Sequence, residues 1–585
     1  MNNKDTSHWN SEKLSPGFHF CIQRLDELLF DYTIDSYKPR ALNAPSLCIE
    51  LLKVIEEVDK GNIDRNNVKY IIEELKQVFK KDKSAKELTA LDINYFLGLK
   101  EDSPLSELKL KVSVLERSLE RGRYIKKIQE KLQSAIEKNN KDEIDILIST
   151  YITTLINRGI SKQFIYHQFN KIFFNGNIKV ESDNSLWELF KTMNPKRHVY
   201  SAFFKVSKSI LLLEKSFNYF GIRIADVAEE RTKELLEKHN FKAKDGHIIV
   251  EVRGLKLPDP FFARDFAEKR LETIRNTSNL FFHNSKLRWN KRSLVKQHCC
   301  SKDSLVASNQ INPMRKSFNH KSNDVALLTN QVFENISLQS DSFKKFNRVL
   351  ELHSNCLQNL TPENQLVNLW IILETLIPSV YKKSKVENIC IEITPLILMR
   401  YFRKLCLELY HDIIRWNSDA LHELSDDIAT DVDTHFSKFL LLLSDDQFHP
   451  KLTTLYGKFD NFHLLRNRVF KISSILKDKS KIQQKLENHK SNITWQVRRV
   501  YRTRNLIVHS GTSPNYINVL VENTHYYIDQ ILSEIVDMTT STFKIYNLEQ
   551  AFEFGKILYS DLERRLNESK KPNDYIFDLT RERKI

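Results

Sequence analysis

Apolar residues recur at three- and four-residue intervals along most of this chain, the spacing that gathers them on one face of a helix. LCIELLKVIEEV (47–58) and NNVKYIIEELKQVFKK (66–81) predict two helices after a polar start. A Lys-rich joint near 80–88 leads to a long amphipathic stretch from Leu105, continuous or broken near Gly122. Its charges of both signs suit a solvent-facing packing helix. DEIDILISTYITTLINRG and SKQFIYHQFNKIFFNG predict a helical pair. No fixed repeat length emerges.

The pattern changes between 178 and 250. RHVYSAFFKVSKSILLLEKSFNYFGI predicts a strand followed by a helix, ADVAEERTKELLEKHNF a further helix, and HIIVEVRGLKL alternates with enough β-branching for a second strand. A helix is expected to start after Pro260. Residues 290–325 are basic and polar, with Trp289 and Phe318 set among Lys and Arg. That composition suits a flexible linker, or else a single-stranded RNA surface. Helices resume from Val325. The expected layout is mainly α and multi-domain: a helical N-terminal domain (1–177), a middle region with a small α/β strand–helix unit and a basic linker (178–335), and a C-terminal helical bundle (336–585).

Composition narrows the picture. Only 12 Gly and 14 Pro among 585 residues leave little material for tight turns, which favours helix. Lys and Arg total 90 against 75 Asp and Glu, a net charge of +15, which suits a polyanionic partner. The longest apolar runs, LWIIL and FLLLL, are too short to span a bilayer, so no membrane segment is expected. Seven cysteines give no disulfide framework, and a reducing cytoplasm is the expected compartment. His298-Cys299-Cys300 is the one Cys/His cluster, and no second pair stands at ligand spacing nearby, so neither a metal nor a cofactor is expected.

The stretch with chemical potential is RTRNLIVHSG, 502–511. It reads as the last turns of a helix capped at its start by Asn492 or Thr494 and closed by Gly511 as a left-handed cap. On an ideal helix Arg498, Arg502, Asn505 and His509 fall within a stripe about 60° wide, while Val500, Tyr501, Leu506, Ile507 and Val508 are expected to pack on the rest. The bland reading is a basic helix whose last turn His509 merely caps. The sharper one is metal-free RNA cleavage, with His509 moving a proton and arginine holding the phosphate.

YRTRNLIVHSG resembles the signature of the HEPN superfamily, an Arg and a polar residue followed by a His, and its wording is closest to the Apea-like branch. TPENQLVNLWIILETLI (361–377), with Glu374 near its end, is similar to the first helix of that branch. The resemblance covers about 360–540, with 385–490 matched only by helical character. It implies an HEPN helical bundle for 336–585, which would dimerise through this domain so that two copies of the motif helix form one cleft. It further implies a metal-independent endoribonuclease: attack by the 2′-hydroxyl, a 2′,3′-cyclic phosphate product, and Arg504, Asn505 and His509 as the catalytic residues. Arg502, Arg498, Glu374 and Arg466 would support the site or bind RNA. Many proteins of the branch are linked to defence against phage, so a toxin-like effector cutting RNA, with tRNA anticodon loops as a target, is the expected role. The second reading is a non-catalytic HEPN module that binds RNA or protein as a regulator. Two arginines compete for the catalytic place. Family wording points to Arg504; ideal helix geometry points to Arg502 and turns Arg504 about 140° away from His509, toward a buried pair with Glu374.

Overall fold

The computed structural model describes residues 4, 6–30, 38, 40–98, 104–175, 179–193, 196–283, 287–300, 304–308, 312–315, 322–378, 384–428 and 434–580. Among them stand 24 α-helices and one five-stranded sheet, so the protein is mainly α with a β-containing unit in the middle. No helix of the described residues is long and apolar enough to cross a membrane.

The sheet is wholly antiparallel, in the order β2-β3-β1-β4-β5, formed by β1 (His198–Ser207), β2 (Ile222–Ile224), β3 (His247–Leu257), β4 (Arg292–Gln297) and β5 (Ser304–Ser308). β1 and β3 lie on the two segments expected to be strands, and β3 keeps its predicted alternation. Tyr200, Ala202, Phe204 and Val206 point to one face, where the helix Pro260–Asn279 covers them through Ala263, Ala267 and Leu271. Phe203 points to the other, against Leu235 and Leu236 of the helix Glu230–Lys238. The basic tract is not simply a linker: its first part forms β4 and β5. RSLVKQ is short and flanked by charge, yet Leu294 and Val295 are buried because β1 supplies a ladder on which they pair, and Ser293 is buried opposite Ala307 of β5. Trp289 is folded onto the same unit, its Nε1 donating to Glu268 at 2.8 Å and Arg275 stacking 4.6 Å from its ring. Phe318 lies outside the described residues.

The helices before and after this unit share one contiguous apolar core, which runs from Leu14 to Met193 and resumes from Met314 to Leu579. The N-terminal helical part therefore continues past 177, through Leu186, Leu189 and Phe190 of the helix Leu186–Thr192, and the sheet unit begins at β1. Asp259 joins the two parts. It caps the helix Pro260–Asn279 by accepting from Phe262 N at 2.8 Å, and it accepts from both Ser161 N (2.8 Å) and Ser161 Oγ (2.9 Å). In the C-terminal part the helical run Lys385–Ser425 is broken at Asn417 (φ −159°, ψ 91°), whose Oδ1 accepts from Ala420 N at 2.9 Å and so starts a new helix.

Candidate functional site

The signature lies on a helix that runs from Lys479 to Ser510. It starts well before Asn492 and Thr494, at Asp478, whose side chain accepts from Ser480 N (2.9 Å) and Lys481 N (3.4 Å). The first half looks polar, but Ile482, Leu486, His489 and Ile493 repeat at intervals of four, three and four residues and are all buried. So narrow a stripe suffices because the rest of that half faces solvent. The predicted end holds: Gly511 takes the left-handed conformation (φ 65°), and its N–H donates to Ile507 O at 3.0 Å.

The basic residues of this helix do not share one open face. Arg499 is fully buried, its guanidinium held by Glu50 (3.0–3.2 Å) and Glu74. Arg502 Nη2 donates to Glu50 Oε1 at 2.8 Å. Arg498 is buried with its Cζ 3.6 Å from the ring centre of Tyr70. Glu50 lies on the helix Ala44–Asp59, and Tyr70 and Glu74 lie on Asn66–Lys81, so the N-terminal helices are seated on the motif helix. Gln77 Nε2 donating to Asn488 Oδ1 (2.9 Å) extends that contact. Burial alone would raise the Glu50 carboxyl, but the two guanidiniums outweigh it and pull it down to about 2. Arg499 is conversely raised, its burial overcome by Glu50 and Glu74. Tyr516 is raised by burial and by the Glu50 carboxylate beside it.

Arg504 differs. It is half-buried, Nη1 donates to Asn505 Oδ1 at 3.1 Å, and among the described residues it has no carboxylate partner. The expected pair with Glu374 is not formed: Glu374 lies 4.0 Å from Lys385 instead. The helix Pro362–Leu376 nonetheless packs on the motif helix, with the Trp370 and Tyr501 rings 5.3 Å apart, and Glu363 in its first turn accepts from Ser513 Oγ at 2.7 Å. His509 is exposed in the last turn. Leu506 and Val508, expected to pack, are 43 % and 51 % exposed, because the last turn projects past its neighbours; Val500 is buried and Ile507 partly so, as expected.

Other candidates lie elsewhere. Asn523 Nδ2 donates to Gln496 Oε1 at 2.6 Å, so the helix Ile517–Thr540 runs back along the motif helix. Arg466 donates to Asp460 O at 2.8 Å on the helix His463–Leu476, whose far end meets the start of the motif helix through Lys481 and Ser474 (2.9 Å). That places Arg466 roughly 30 Å from His509. Sequence reasoning missed Glu50, Glu74 and Tyr70, which occupy the basic face; nothing local in those helices marks them.

The Cys/His cluster is also regrouped. Residues adjacent in an extended chain point to opposite faces, so His298 and Cys299 part company. His298 N donates to Val199 O (2.8 Å), and its ring meets Ser201 Oγ (2.7 Å) beside a pocket of about 610 Å³ lined also by Asn218, Arg223 and Arg253. Cys299 falls opposite His198, with Sγ 3.4 Å from Nδ1, and Cys300, turned back by a left-handed φ of 53°, brings its Sγ within 3.8 Å of the same nitrogen.

No family model, curated protein or solved structure matches this chain.

Proposed function

We propose that this protein is a metal-independent endoribonuclease of the HEPN type, cutting RNA with Arg504, Asn505 and His509. The observation that carries the reading is the state of Arg504 beside that of its neighbours. Arg499 and Arg502 are neutralised by carboxylates and Arg498 is buried under Tyr70, whereas Arg504 has no carboxylate partner among the described residues and contacts Asn505, which stands one helical turn before the exposed His509. A guanidinium in that condition can take a phosphate oxygen, and Asn505 orients it. His509 is placed to accept the 2′-hydroxyl proton or to protonate the leaving 5′-oxygen, giving a 2′,3′-cyclic phosphate and a 5′-hydroxyl.

Exposed Leu506 and Val508 flank His509 and supply an apolar margin for a second copy, so that each centre would draw residues from both chains. A role in defence, with tRNA anticodon loops as substrate, rests on the resemblance of the signature to the Apea-like branch. The N-terminal helices seated on the motif helix would restrain the nuclease.

The alternative, a non-catalytic module that binds RNA or protein, draws on the burial of Arg498 and Arg499 and the pairing of Arg502 with Glu50, which withdraw most of the basic face from a phosphate. End-mapping of RNA incubated with the purified full chain, with and without EDTA, decides between them. Cleavage that survives EDTA, leaves cyclic phosphate ends and falls about 10²–10⁴-fold in His509→Ala supports the nuclease. Binding without cleavage supports the module.

A further inference from the structure

Three side chains from two helices converge in the C-terminal bundle, away from the motif helix's end. His353 lies on the helix Ser340–Gln358; His525 and Asp529 stand four residues apart, one above the other, on Ile517–Thr540. His353 Nε2 and His525 Nε2 are 3.0 Å apart, and Asp529 Oδ1 lies 3.3 Å from the first and 3.2 Å from the second. At most two Nε2 protons serve the three edges of this triangle, so at least one edge has no proton aimed along it. Each Nε2 has a single direction in the ring plane, taken by a proton or by a lone pair. A proton aimed at Asp529 is not aimed at the other ring, and if both nitrogens donate to the carboxylate, two N–H dipoles face each other at the observed 3.0 Å. If neither nitrogen carries the proton, two lone pairs and a carboxylate oxygen face one another.

A cation at the centre removes the conflict, because all three atoms then present lone pairs to it. We infer that His353, His525 and Asp529 form a binding site for a divalent transition-metal cation of the zinc class. The dimensions agree. Zinc–ligand bonds of about 2.0–2.1 Å put neighbouring ligand atoms about 2.9 Å apart at right angles and about 3.4 Å apart at the tetrahedral angle, and the three observed separations of 3.0, 3.2 and 3.3 Å fall between. Two imidazoles and one carboxylate are a nitrogen–oxygen set that suits zinc and its first-row neighbours better than calcium or magnesium. The His353 and Asp529 side chains are 20 % and 21 % exposed, which gives a water access to a fourth position. The bound ion would clamp Ser340–Gln358 to Ile517–Thr540, and this inference stands apart from the nuclease reading.

The test uses the full chain, stripped with a chelator and titrated with Zn²⁺ by calorimetry and with Co²⁺ by absorption. Cys299→Ser/Cys300→Ser is the background, so that the thiols near His198 contribute nothing. The expected result is one equivalent of tightly bound Zn²⁺, cobalt bands without sulfur charge transfer, and a Tm raised by zinc. Asp529→Asn and His353→Gln, both at partly exposed positions, should each weaken zinc binding by at least about 100-fold, the upper end of what loss of even a supporting residue costs. Their metal-free Tm should stay that of the background, which separates ligand loss from misfolding. Absence of zinc binding in the Cys299→Ser/Cys300→Ser background, or unchanged affinity in both variants, overturns the assignment.

Discussion

Arg502 donates to Glu50 across 452 positions of sequence, at 2.8 Å. Glu50 also holds the buried Arg499, so one carboxylate fixes two guanidiniums of the motif helix onto the N-terminal helices. Removing a member of a buried charge cluster strands the others, which costs about 3–5 kcal/mol. Glu50→Gln should therefore destabilise the protein by about that amount in urea unfolding. A change below about 1 kcal/mol would mean that the pairs only break even against their desolvation.

The same cluster predicts part of the acid response. The Glu50 carboxyl is held at about 2 in the folded protein against 4.5 ordinarily, so its contribution is fully present above pH 4.5 and is lost as pH falls toward 2. In Glu50→Gln the stability curve should lose its steepness over that interval.

Two buried imidazoles act higher on the pH scale. Burial pushes His489, stacked on Tyr401 with ring centres 4.0 Å apart, down to about 3, and pushes His463 down to about 4. Below pH 6.5 the unfolded chain takes up protons that the folded chain refuses, so stability falls on acidification until each folded value is reached. Each group contributes a slope of up to about 1.4 kcal/mol per pH unit. Unfolding midpoints between pH 6.5 and 4 should flatten in His489→Gln; an unchanged slope would assign the acid response to other groups.

The two arginines should separate by assay. Arg502→Ala strips Glu50 of one partner and should lower the melting temperature. Arg504→Ala breaks the contact with Asn505 and should leave stability within about 1 kcal/mol of the parent, in line with loss of one part-buried hydrogen bond, while abolishing the RNA cleavage proposed above. The reverse pattern would move the catalytic role to Arg502.

Thiol chemistry should be confined to one corner. Cys21, Cys48, Cys356, Cys390 and Cys406 are buried, and burial pushes the last three up to about 12. Cys299 is accessible, and the Val199 N–H donating to its Sγ holds it below the ordinary thiol value. Peptide mapping after brief alkylation should find label on Cys299 and Cys300 ahead of the other five. Comparable labelling of a buried cysteine would show that the helical core opens readily.

Local chemistry by itself determined a good part of this protein. The three- and four-residue apolar period foretold the helices 44–59 and 66–81, Pro260 marked the start of 260–279, alternation foretold β3, and Gly511 foretold the end of the motif helix. Each depends on backbone geometry and nearest neighbours, which are written in sequence order. The choice of partner is not. Which carboxylate meets Arg499 and Arg502, and which histidine meets Cys299, depends on segments brought together only by folding. β4 and β5 exist because a neighbouring strand offers a ladder that their own residues do not announce. Helical periodicity could say that Arg498, Arg502 and His509 share a stripe; only packing against the N-terminal helices decided that the arginines of that stripe are covered or paired while His509 stays exposed, because such contacts belong to two segments together and not to either alone.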